Sequence, residues 1–151
     1  MSAYICFYFK TKNDTFICLD EFSRSSKMYA ACQVAHAPWE QLDPFTKDRR
    51  DEVARNLLDL KDEARERIHE LNDELKDSTV FEGLSLEDRM SLRNDFKSEI
   101  KEWESDISEI DYALDFVELV GGMHEEEDLS GENQLYFGFE VSGKLENIRK
   151  F

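Results

Sequence analysis

The chain has 151 residues, of which 40% are hydrophobic and 36% charged, and a formal charge of -16. That length suits a single domain able to bury a core without disulfides or a metal, and the apolar content argues against wholesale disorder. A surface this acidic repels nucleic acid and anionic membrane alike, so direct binding to either is not expected, and a protein with a basic surface is the natural partner.

With only 6 Gly and 2 Pro, the sequence leaves little room for loops and predicts much regular structure. No stretch approaches the roughly 18 apolar residues of a membrane span. Residues 1–12 lack the basic region, apolar core and cleavage site of a signal peptide, so a cytoplasmic protein is expected. Cys6, Cys18 and Cys32 are odd in number, lie in apolar surroundings and match no metal-ligand spacing; they read as buried, reduced thiols.

Residues 1–45 hold nine of the eighteen aromatics and are nearly charge-balanced. Tyr4 to Phe9, a polar turn around Lys12-Asn13-Asp14, and Phe16 to Leu19 predict a β-hairpin. Both runs are apolar at consecutive positions, so both faces should be covered. Ser25 or Ser26 is placed to cap a short helix through Cys32 that ends before Pro38.

Residues 46–121 predict a helical hairpin. Asp43-Pro44 offers a cap followed by a first-turn proline. Val53, Leu57, Leu60, Ala64, Ile68, Leu71 and Leu75 then recur at helical spacing. A break from Ser78 to Leu84 precedes Ser85-x-x-Asp88, a capping-box variant. Phe96, Ile100, Trp103, Ile107, Ile110, Leu114 and Val117 form the second stripe, and Gly121-Gly122 supplies the expected stop. Each helix spans about 45 Å, and similar lengths joined by a short link favour antiparallel packing. Leu58 and Leu92 widen the apolar faces, which suits a second layer: the sheet, or another copy in a homo-oligomer.

Residues 122–133 read as an acidic loop containing Glu125-Glu126-Glu127-Asp128, and residues 134–151 as a strand and tail. Leu135, Phe137, Phe139 and Val141 alternate with Tyr136, Gly138 and Glu140, as in a half-buried strand. Gly138 is a candidate bulge or close approach. The predicted fold is α+β: a small antiparallel three-stranded sheet with a short helix, and a long antiparallel helical hairpin inserted before the last strand.

Chemistry-bearing patterns are sparse. Glu66-x-x-His69 is a single copy of a di-iron motif, and both residues lie beside the apolar stripe, which argues against a ligand role. His124 with the acidic run fails the EF-hand offsets, because Phe137 falls where a glutamate is required. Glycine-rich phosphate loops and nucleophile–base arrangements are missing from the sequence, so no cofactor, metal or catalytic residue is assigned. The carboxylates of the second helix stand out. Glu99, Glu102, Asp106, Glu109, Asp115 and Glu118 crowd toward a helix C-terminus, where the macrodipole disfavours negative charge. They are the candidate partner-binding residues.

Three functions fit these features. The leading one is a non-catalytic interaction or accessory protein that presents the acidic hairpin to a partner or to itself. Another is an inhibitor of a basic nucleic-acid-binding or defence protein, whose carboxylates imitate phosphates as small acidic phage proteins do; no motif stands behind that likeness. The third is a small enzyme using the His36 and Cys32 region.

Overall fold

The computed structural model describes residues 4–10, 15–23, 25–32, 43–125, 135–139 and 148–150. In chain order its elements are β1 (Tyr4–Lys10), β2 (Phe16–Ser23), α1 (Lys27–Cys32), β3 (Asp43–Pro44), α2 (Lys47–Lys76), a short 3-10 turn (Ser78–Phe81), α3 (Leu86–Glu125), β4 (Leu135–Phe139) and β5 (Ile148–Lys150). The three long strands form the expected antiparallel sheet, with β1 between β2 and β4. The α2–α3 hairpin enters the chain before β4, so the fold is α+β. Two short strands extend the sheet: β3 pairs antiparallel with β4, and β5 pairs parallel with β2. The predicted turn at Lys12-Asn13-Asp14 lies outside the described residues, as do residues 126–133 of the predicted acidic loop.

Alternation along β1 sends Ile5 and Phe7 toward the helices and Cys6 and Tyr8 to the opposite face, and all four are buried. Phe7 is the hub of the helix-side core. Its ring centroid lies 5.0 Å from Phe116 of α3, 5.1 Å from Phe45 and 5.8 Å from Phe22. On the other face Cys6, Tyr8 and Cys18 pack with Phe16 and Tyr136. The β1–β2 register breaks once, since Phe7 opposes Asp20 but Tyr8 opposes Cys18, which leaves Leu19 as an extra residue. This bulge turns Leu19 and Asp20 toward the same, helix-bearing side. Pairing runs unbroken through Gly138, which sits opposite Cys6, so the bulge belongs to β2 rather than to Gly138.

Helix α1 has six residues, too few to persist alone, and is held at both ends. The Tyr29 N–H donates to Ser26 Oγ at 3.1 Å, as the predicted cap requires. At the other end Asn56 Nδ2 donates to the Ala31 carbonyl at 2.8 Å, and Arg49 donates to the Cys32 carbonyl. Two side chains of α2 thus satisfy carbonyls that a helix C-terminus leaves without partners.

Both ends of the hairpin depart from expectation. Asp43-Pro44 does not start α2. Proline has no N–H to offer a ladder, so it suits a sheet edge as well as a first helical turn. Here the edge prevails, because Phe45 is drawn into the core between Phe7 and Phe137. Thr46 caps the helix instead, its Oγ1 accepting from the Arg49 N–H at 3.2 Å. At the far end Gly121-Gly122 does not stop α3, which continues to Glu125. Gly121 is buried there against Arg50, where a Cβ would overlap the guanidinium, and Met123 still packs on the core.

The hairpin itself matches the apolar stripes. Val53, Leu57, Ala64 and Leu71 of α2 are buried, as are Ile110 and Val117 of α3. Leu60, Ile68, Phe96, Ile100, Trp103 and Ile107 are half-buried. The connection is fixed by Asp77, whose carboxylate accepts from the Thr79 N–H at 3.0 Å and the Thr79 hydroxyl at 2.7 Å, and by Gly83 at φ 79. Those bonds to Thr79 hold the Asp77 carboxyl below its ordinary pKa. Ser85 then caps α3 by accepting from the Asp88 N–H at 3.2 Å. Among the described residues, no helix is long and apolar enough to cross a membrane.

Candidate functional site

The acidic surface follows from one row of α3. Glu99, Glu102, Asp106, Glu109, Ala113, Phe116 and Val120 recur at alternating steps of 3 and 4 residues. At about 3.6 residues per turn, such positions share one face of the helix. Its C-terminal part, Ala113 to Val120, is buried in the core that Phe7 centres. Its N-terminal part runs past the edge of that core into the arm of the hairpin, and every position there is a carboxylate. The boundary is marked by Lys27 of α1, whose ammonium lies 3.6 Å from Asp106.

Four of the six predicted residues therefore share a face, and two do not. Glu102 is exposed and Glu109 half-buried. Glu99 accepts from Arg67 of α2 at 3.2 Å, and Arg67 also contacts Glu70 at 3.1 Å. Those carboxylates, Glu70 foremost, raise the already high pKa of Arg67. Asp115 lies six residues beyond Glu109, about one and two-thirds turns, and so points elsewhere. It stands at the mouth of an apolar cleft, while Glu118 lines a shallow hollow with Arg50 and Ala54 on another side of the hairpin. Composition located the acid; only the geometry of the row separates these two residues from the other four.

The cleft was not foreseen. It has a volume of about 680 Å³ and lies between the sheet and the C-terminal part of α3. Phe9, Ile17 and Leu19 form the sheet wall, and Phe116, Leu119 and Met123 the helix wall. At its rim the Tyr112 hydroxyl donates to Asp20 Oδ2 at 2.8 Å, which raises the Tyr112 pKa above the ordinary phenol value. Asp20 reaches this position through its pairing opposite Phe7, and its Oδ1 accepts from the Glu21 N–H at 2.8 Å. Leu119 is 65% exposed and Tyr112 59% exposed, so the rim is open. A signal for the cleft was present in the off-stripe pair Tyr112 and Leu119, but the opposing wall comes from strands about a hundred positions away.

The residues considered for catalysis offer little chemistry. Cys6, Cys18 and Cys32 are buried thiols outside any disulfide. Burial pushes Cys32 up to about 12, so at neutral pH roughly one molecule in 10⁵ would hold the thiolate a nucleophile needs. Contact with Cys18, then burial, raises Cys6 as well. His36 lies outside the described residues. His69 is exposed and 3.4 Å from Asp73, one turn along α2, as a surface histidine would be. In comparisons with known proteins, the chain matches no family model, no curated protein and no solved structure.

Proposed function

We propose that this protein is a non-catalytic interaction protein whose α2–α3 arm presents an acidic face to a protein partner with a basic surface. The observation that carries this reading is the single row on α3 whose apolar residues end with the sheet and give way to Glu99, Glu102, Asp106 and Glu109. A helix that needed these positions only for solubility would gain more from mixed charge, since i,i+3 and i,i+4 carboxylates repel. Burying part of the partner's positive surface against this row would relieve that repulsion and speed encounter.

Charge density favours this reading over imitation of nucleic acid. Residues 61–109 carry 16 acidic and 8 basic side chains. The α3 side of the arm spans about 36 Å, over which duplex DNA presents on the order of 20 phosphates at one per 1.7 Å. The net charge of the arm is less than half of that.

The test is affinity capture with the wild-type protein and with a Glu102→Lys, Glu109→Lys variant, at low and at high salt. The proposal expects a bound protein that is lost from the variant and weakened by salt. Capture indifferent to the double reversal would remove the acidic row from the function.

A further inference from the structure

The cleft beside Tyr112 adjoins the acidic row, because Glu109 lies one turn before Tyr112 on α3 and Asp115 one turn after it. Its walls are apolar, its rim carries the carboxylates of Asp20 and Asp115, and among the described residues that line it there is no Lys or Arg. A small apolar molecule would leave those carboxylates without a counter-charge. An acidic or neutral segment would bring a like charge to them or none. We propose that the cleft receives an apolar side chain from a basic amphipathic segment of the partner, whose neighbouring Lys or Arg residues meet Asp20 and Asp115.

Three features suit that occupant. The volume accommodates the apolar anchor side chains of a short segment. Leu119 and Tyr112 are exposed large apolar groups facing one opening, and Tyr is a frequent anchor of interfaces because its ring packs while its hydroxyl stays bonded. Asp20 is held in place by two hydrogen bonds, so little side-chain freedom is lost when a cation approaches. The inference rests on the acidic-arm reading for the partner's positive charge, and adds to it an apolar anchor on a different face.

The experiment uses a short fluorescein-labelled peptide with Leu and Lys at amphipathic-helix spacing, alongside versions with Ser for Leu and Glu for Lys. Binding is read by fluorescence anisotropy. Wild-type protein is expected to bind the Leu/Lys peptide and to bind each control at least about tenfold less tightly. Leu119→Ser, at an exposed site where folding is not at stake, should weaken the Leu/Lys peptide about tenfold and leave its Ser version unchanged. Asp115→Asn should weaken it by a smaller factor that disappears at high salt.

If Leu119→Ser leaves affinity intact while Glu102→Lys, Glu109→Lys abolishes it, the cleft proposal is overturned and the arm reading stands. If Leu119→Ser weakens the Leu/Lys peptide while partner capture is indifferent to Glu102→Lys, Glu109→Lys, the cleft stands and the arm reading falls. No binding of the Leu/Lys peptide by wild type overturns the cleft proposal, and so does an NMR contact in the free protein between Leu119 and another segment of its own chain filling the cleft.

Discussion

Helix α3 carries the same spacing of residues over two very different environments. Over the sheet its second face is Ala113, Phe116 and Val120, all buried; along the arm the same face is Glu99, Glu102, Asp106 and Glu109. The first apolar stripe differs as well, since Ile110 and Val117 are buried whereas Phe96, Ile100, Trp103 and Ile107 are half-buried. The comparison teaches where stability resides. A two-helix arm covers one stripe from one side, and a sheet is needed before a second face can be made apolar. Freed from that duty, the arm's second face can carry charge at little structural cost.

This contrast can be broken most sharply by carrying the acid across the boundary. Ala113→Glu would place a carboxylate where the side chain is 1% exposed, at a cost of roughly 3–5 kcal/mol for an uncompensated buried charge. Glu102→Ala with Glu109→Ala should leave the urea midpoint unchanged or slightly raised. Equal losses in the two proteins would mean that the two halves of the row are not different environments.

A second, smaller comparison truncates apolar groups. Phe7→Ala should cost about 3–5 kcal/mol, while Ile107→Ala, half-buried in the arm, should cost about 1–2 kcal/mol. Denaturant unfolding of both variants checks the ratio, and an arm variant as damaged as the core variant would count against the hierarchy. The smallest effect belongs to the rim. Tyr112 has its pKa raised by Asp20, so the unfolded chain ionises first as pH climbs. The contribution of this contact is fully present below about pH 10 and is lost as pH rises through the higher folded pKa. Tyr112→Phe should flatten that alkaline decline slightly and leave stability at neutral pH nearly unchanged; an unaltered alkaline profile would show that the hydroxyl contributes nothing.

Much of the architecture was legible because period and chemistry agreed. The stripes through Leu57 and Leu71, and through Ile110 and Val117, could belong to nothing but helices, and the Ser26 and Ser85 caps are where their residue types placed them. The errors share one cause. Asp43-Pro44 and Gly121-Gly122 are local signals with more than one structural meaning, and Phe45 and Met123 decided between them through contacts distant in sequence. The candidate surface was legible as composition, through the excess of carboxylates on α3. Its division into a row of four and two outliers follows from helical spacing, but where the row passes from apolar to acidic against the core required the position of the sheet, and the cleft required the bulge at Leu19, a single extra residue that no periodicity announces.

The placement of the hairpin between strands has a kinetic consequence. Tyr8 and Tyr136 must meet in the sheet although most of the chain separates them, and joining such distant points through a floppy connection is slow. The α2 and α3 pairing can start at its turn, where Phe81 meets Phe96, and zip outward from there before β4 docks. Once it has closed, the two ends of the hairpin stand side by side and deliver β4 to the waiting edge of β1. The rod that reaches outward in the finished molecule is, during folding, the clasp that draws its two termini together.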